Sequence, residues 1–150
     1  MPVRAVQNGV SVGCAAGVTK RRNCATARGG PPPPSGPGSA TSLAAQAIRD
    51  GYKTIVASGG DGTVNEVVNG LTQARDGLGQ AQLGILPLGT MNVFARELGI
   101  PLTARRAWET ILLGQARAVD LPLAKVQTDA GPAERCFVQM AGAGLDGDAV

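Results

Sequence analysis

The run Ser58-Gly59-Gly60-Asp61-Gly62-Thr63-Val64-Asn65-Glu66-Val67-Val68-Asn69-Gly70 constrains the fold more than any other part of the chain. Before it, Thr54 to Ala57 is a short apolar, β-branched stretch suited to an interior parallel strand. After it, Val64, Val67, Val68 and Leu71 recur at i, i+3, i+4 and i+7, which is one apolar face of a helix. A strand passing into a helix through glycines is the joint of an α/β sheet. Gly59, Gly60 and Gly62 lack Cβ, so the backbone can take positive φ and its N–H groups can come close to a ligand. A helix start carries about half a positive charge, which favours an anion there. Asp61 alone would repel bare phosphate. It suits a divalent cation lying between the two, or a substrate hydroxyl that must be oriented or deprotonated. A structural reading stands beside this one, because Thr63 and Glu66 have the spacing of a capping box that satisfies free N–H groups at a helix start.

A second joint of the same kind follows. Leu83 to Leu86 reads as another buried strand, and Pro87 to Thr90 turns it into a helix with Phe94 and Leu98 on one face. Two glycine turns at one sheet edge make the crevice in which open α/β sheets bind ligands. Asn92 stands where it can either contact a ligand or cap the helix. No GxxxxGK[ST] is present, so phosphate binding rests on backbone amides and a metal rather than a P-loop lysine. Gly142 to Gly147 matches GxGxxG but lacks the helix and second strand that would make it a dinucleotide site.

GGDGTVNEVVNGL followed by LGILPLGTMNVFAR closely resembles the catalytic domain of the diacylglycerol kinase family, in particular the bacterial lipid kinases. The resemblance runs from about residue 38 to 150 and includes Val119-Asp120-Leu121 and the segment Cys136 to Asp146. NAD kinases and phosphofructokinases share a GGDG-type turn, and the LPLGTMN block separates this chain from them. The resemblance implies an α/β fold with an open, mostly parallel sheet and flanking helices. It also implies an ATP-dependent kinase acting on a lipid hydroxyl, of diacylglycerol or a related lipid. It further implies nucleotide contacts from Gly59, Gly60, Asp61, Gly62, Thr63, Val64 and Asn65 in the first turn and from Gly89, Thr90 and Asn92 in the second. Asp61 is the expected metal and catalytic carboxylate, with ATP and Mg2+ as cofactors, and Asp120 is the candidate for a second carboxylate near it. Val93 stands where relatives carry Asp, which removes a polar contact from that corner of the site. The alternatives are a NAD kinase-like or other small-molecule kinase and a non-catalytic nucleotide-binding fragment.

The two ends depart from the family pattern. Residues 1–37 are expected to be an atypical basic, Pro/Gly-rich, disordered segment, mis-started or frame-shifted, and residues 38–150 the nucleotide-binding domain. Met1 to Pro34 shows no sustained period, Gly29 to Pro34 is a breaker run, and Pro34 replaces an ATP-contacting Thr. A family member would open with a buried strand and an Asn-Pro turn. Without that strand the sheet is expected to have a raw edge able to pair with another copy, hence a homo-oligomer. At the other end the chain stops where relatives continue into a β-rich second domain that supplies much of the lipid cleft, so the isolated chain is expected to be weakly active or inactive.

Charge and composition exclude several classes. Residues 1–49 carry six basic groups and no acid, against eight basic and eleven acidic groups in the remainder, so the basic balance belongs to the tail. Lys20-Arg21-Arg22 without interleaved aromatics gives no nucleic-acid signature. The chain has no His, which excludes Ser-His-Asp and Cys-His catalysis within it. Three cysteines without CxxC spacing suggest a reduced, cytoplasmic setting. Contact with a lipid substrate would then be peripheral, at a membrane surface, since no apolar run approaches the ~20 residues of a membrane span.

Elsewhere, Leu43, Ala44, Ala47 and Ile48 predict a helix from Ser39 to near Gly51, and Trp108, Ile111 and Leu112 predict another between Thr103 and Gly114, with Trp108 as its core anchor. Strands are predicted over 119–126 and 136–140, separated by a polar turn at 127–134, with Cys136 facing the core.

Overall fold

The computed structural model describes residues 10–12, 36, 38–75, 77–128 and 130–142. The elements run β1 (Val10–Val12), α1 (Ser39–Arg49), β2 (Thr54–Gly59), α2 (Asp61–Gln73), α3 (Gly77–Gln80), β3 (Gln82–Pro87), α4 (Val93–Glu97), α5 (Ala104–Leu113), β4 (Arg117–Val119), β5 (Leu123–Thr128) and β6 (Gly131–Cys136). The main sheet has the order β2-β3-β1-β4, parallel except for β4, and β5 and β6 form a separate antiparallel pair. This is the expected α/β class with an open, mostly parallel sheet.

Side-chain alternation along β3 explains the layering. Leu83 and Ile85 are buried and share the main core with Val64, Val67, Val68 and Leu71 of α2. Gly84 points to the other face, where a Cβ would lie 3.2–3.3 Å from side-chain atoms of Ile111 on α5. Helices therefore cover both faces of the strand, as an apolar parallel strand requires. The predicted face of α2 is the observed one, with Val68 and Leu71 fully buried. Each contributes roughly 1.5–3 kcal/mol by leaving water. On the outside of α2, Gly70 lets α1 approach so closely that a Cβ there would collide with the Thr41 carbonyl.

Several expectations are corrected. Val10–Val12 is a strand, parallel to β3 on one side and antiparallel to β4 on the other. The alternation of β-branched valines suits extended backbone, and β1 occupies the edge of β3 that was expected to be bare. The rest of residues 1–35, with Lys20 to Arg22 and the breaker run Gly29 to Pro34, lies outside the described residues. The predicted strand over 119–126 is two strands, broken at 120–122, where Pro122 removes a ladder donor. The predicted polar turn at 127–134 is the tip and second arm of a hairpin in which Thr128 pairs with Gly131, itself at φ +113°. Its residues are mostly exposed on both faces, so no alternation marks it as strand. The strand predicted to begin at Cys136 instead ends there. In α5 the buried positions are Ala107 and Ile111, while Trp108 is half-buried and Leu112 exposed. The small Ala107 lets the helix settle against β3 one position away from the bulky indole.

Candidate functional site

The two glycine turns leave the sheet side by side, because Gly59 at the end of β2 is the register partner of Pro87 at the end of β3. Leu88 N–H donates to the Gly59 carbonyl at 3.0 Å. A Cβ on Gly60 would lie 3.2 Å from Gly89 Cα, and one on Gly89 would collide with Gly60 Cα outright. Backbone facing backbone cannot give way, so proximity demands glycine here. The conformational freedom is not what is used: among the described residues the glycines at positive φ are Gly38, Gly51, Gly99 and Gly131, while Gly60 sits at φ −90°. Gly59 is likewise a matter of space, since its missing Cβ leaves room for the Thr63 side chain.

From Gly60 the chain enters α2. Gly60 occupies the N-cap position and offers no side-chain cap. The N–H groups of Asp61, Gly62 and Thr63 in the first turn therefore lack an intrahelical partner. Val64 is the first residue to close the ladder, donating to the Gly60 carbonyl at 3.1 Å, and its side chain is buried in the core. The Val64 N–H, named above among the expected nucleotide contacts, is thus engaged within the helix. Gly62 is exposed, with nothing within 4 Å of where a Cβ would stand. One turn further along, Asn65 Oδ1 is a buried acceptor without a hydrogen-bond partner among the described residues.

The capping box is also corrected. Helix α2 starts two residues before Thr63, so Thr63 stands inside it. The Glu66 carboxylate accepts instead from Gly38 N–H at 2.9 Å and Ala40 N–H at 3.2 Å. It caps the start of α1 rather than its own helix.

Asp61 faces the second turn. Its Oδ2 accepts from Val93 N–H at 3.1 Å, and its Oδ1 from Phe94 N–H at 3.3 Å and from the Gln139 side-chain amide. The first-turn donors of α4 are thereby satisfied by a carboxylate from another helix, which also suits the dipole of α4. Burial raises the Asp61 carboxyl, but the hydrogen bonds from Val93, Gln139 and Phe94, with a smaller effect of the nearby Asn92 backbone N–H, outweigh it and hold the group below the ordinary carboxylate value. Asp61 is thus firmly ionised near neutral pH. The contact at Val93 is made by its backbone N–H, which any residue there would offer.

Asn92 is 7% exposed and in the left-handed region at φ 50°. Asn tolerates that region better than most residues because its short amide can bond locally. Here it folds back on Gly89, accepting from its N–H at 3.0 Å and donating to its carbonyl at 2.6 Å. Gly89 and Asn92, both expected nucleotide contacts, here direct these polar groups at each other and close the turn. Thr90, between them, is exposed.

The structure does not bring Asp120 to Asp61. Asp120 follows Val119, which pairs with Val10, while Val12 pairs with Leu83 near the start of β3. The glycine turns lie beyond the far end of that strand. At about 3.3 Å per residue the levels of Val119 and Pro87 are roughly 20 Å apart along the strands. Asp120 thus belongs to the opposite edge of the sheet.

Two residues not singled out by the sequence take part. Asn69 donates to the Cys136 carbonyl at 2.8 Å and accepts from Cys136 N–H at 2.9 Å, fixing the end of β6 to α2. A polar residue in the apolar run Val67-Val68-Asn69 was the visible signal. Gln139 carried none, since only the tertiary fold places it on a residue 78 positions earlier. Cys136 is buried as expected, and burial, aided by the Glu134 charge, pushes its thiol up.

The donor set bears on a metal ion. Among the described residues there is no group of three or more His, Cys, Asp or Glu able to hold one. A cation caged by protein ligands does not fit these residues. Magnesium carried by a nucleotide does, because such ions take one or two carboxylates and draw their other ligands from phosphate and water. Asp61, ionised and using three of about four acceptor positions, is the available carboxylate.

Comparison with known proteins agrees with this geometry. Residues 32–124 match the family model described as the diacylglycerol kinase catalytic domain. Proteins named "Probable lipid kinase YegS" from Salmonella dublin, Salmonella choleraesuis (strain SC-B67) and Salmonella heidelberg (strain SL476) are each 42% identical over 100 residues. That stretch is 67% of this chain and 31% of each relative, so the match spans about a third of the relatives' length.

Proposed function

This chain belongs to the diacylglycerol kinase catalytic domain family, and from that premise we propose that it forms the nucleotide-binding half of a lipid kinase that transfers the γ-phosphate of ATP to a lipid hydroxyl. The observation that carries the reading is the start of α2, where three first-turn N–H groups, an exposed glycine and an ionised carboxylate stand together at the end of two parallel strands. The N–H groups of Asp61, Gly62 and Thr63 receive phosphate oxygens. Asp61 would hold a magnesium ion arriving with the triphosphate, which when bound would offset charge on the phosphates. Asn65 Oδ1, an acceptor without a protein partner among the described residues, takes a ligand hydroxyl or amine. Thr90 lies at the rim.

In the transfer, the lipid hydroxyl oxygen forms a bond to the γ-phosphorus, the bond from that phosphorus to the β–γ bridging oxygen breaks, and ADP leaves. The hydroxyl proton passes to a base. A carboxylate held below its ordinary pKa is a weak proton acceptor, so Asp61 serves to orient phosphate and cation rather than to take that proton. Leu88 and Met91 beside the second turn, and Met140 after Gln139, are 58%, 64% and 84% exposed and give the site an apolar rim that suits a lipid acceptor. No helix of the described residues is long and apolar enough to cross a membrane. A second reading, nucleotide binding without transfer, is favoured for the chain by itself because the described residues bring no second carboxylate to Asp61.

Gly62→Glu tests the site. A Cβ at Gly62 has nothing within 4 Å, and an acid in the first turn favours the helix, so folding is expected to be retained while phosphate is repelled. Titration calorimetry is expected to show Mg·ATP binding to the 150-residue chain and at least a tenfold loss in the variant. Equal affinity would place the nucleotide elsewhere.

A further inference from the structure

The segment after β6 runs along α2 and ends at the site. Asn69 fixes Cys136 through both of its amide atoms, and Gln139 donates to Asp61. Asn69 and Asp61 are separated by about 12 Å of helix at 1.5 Å per residue. Cys136 and Gln139 are separated by about 10 Å of extended chain. The two spans match, so the anchor at Asn69 sets where Gln139 arrives.

We propose that Gln139 is the positioning residue of Asp61: its amide fixes the carboxylate between the start of α2 and the start of α4 and leaves its negative charge intact for a magnesium-bearing phosphate. The geometry gives the reason. Of the two backbone donors on Asp61, the one on Oδ1 is the longer, at 3.3 Å from Phe94, and Gln139 adds the second donor to that same oxygen. Without it, Oδ1 would keep only the long bond and the carboxylate could swing about its contact with Val93. A neutral amide suits the task. Lys at this position would also hold the carboxylate, but it would cancel the charge that a cation needs. The inference rests on the nucleotide reading above only for its consequence in ligand binding; the link between Gln139 and Asp61 is testable without it.

Gln139→Leu and Gln139→Lys in the 150-residue chain separate the roles. Amide hydrogen exchange at Val93 and Phe94 reports the hold on Asp61, with Leu71 as the control for the fold. Gln139→Leu is expected to lower protection at Val93 and Phe94 three- to tenfold and leave Leu71 unchanged, while Gln139→Lys keeps all three. Affinity for ATP is then measured with Mg2+ and with EDTA. The advantage conferred by Mg2+ is expected to fall three- to tenfold in Gln139→Leu and further in Gln139→Lys, although the latter remains held. A purely structural Gln139 would leave the Lys variant with the wild-type advantage, and that result overturns the proposal, as does unchanged protection in Gln139→Leu. If the wild-type chain binds no ATP in either condition, the nucleotide reading falls, and exchange alone decides whether Gln139 holds Asp61.

Discussion

The turns after β2 and β3 are built to one plan, strand to glycine to helix, and they end in opposite states. The first opens onto α2 with its leading N–H groups uncapped by any side chain. The second is closed twice over: Asn92 folds onto Gly89, and Asp61 takes the N–H groups of Val93 and Phe94. Similar motifs therefore do different work. The second turn is scaffold, and the carboxylate that seals it belongs to the first. Asp61 thereby couples the open helix start to the closed one, so the residue with the most chemical promise also holds the site together.

Substitutions can break or sharpen this contrast. Gly89→Ala is expected to have the largest effect, because its Cβ would collide with the Gly60 backbone. Overpacking against backbone predicts a loss of about 3 kcal/mol in urea denaturation, and a loss below half of that would mean the turns separate easily. Asp61→Ala comes next. Removing a charged acceptor that serves two backbone donors predicts a loss of roughly 1.5–3 kcal/mol. The pH dependence follows from the lowered carboxyl. The folded value lies below an unfolded value of about 3.9, so the stabilisation is complete above that pH and disappears as pH falls through the folded value. Wild type and variant should therefore converge in stability as pH falls through the lowered folded value, and a gap that does not narrow in acid would assign the loss to packing. Gly62→Ala is the smallest. At an open position it should be neutral or stabilise by up to about 1 kcal/mol through helix propensity, and a clear loss would show that the first turn is not open.

Much of this architecture was legible. The periods of Thr54–Ala57, Val64–Leu71 and Leu83–Leu86 each report a local choice between strand and helix, and each element formed where its pattern placed it. The hairpin β5–β6 was misplaced for the converse reason: exposed on both faces, it has no buried side to impose alternation. Strand β1 was missed because three residues are too few for a period, and its partners, β3 and β4, come more than 65 residues later. Within the site, the helix start of α2 and the presence of Asp61 were visible. The partners of Asp61 were not.

By itself, then, the sequence determined two strand-glycine-helix joints, the apolar faces that bury them and the single carboxylate in the first glycine turn, because those depend on neighbours within a few residues. Tertiary structure alone decided which joint stays open, that Glu66 caps α1, that Gln139 rests on Asp61 and that Asp120 lies at the other edge of the sheet. Hydrogen bonds act over about 3 Å, and no local pattern records which distant donor will come within that range once the strands have chosen their order.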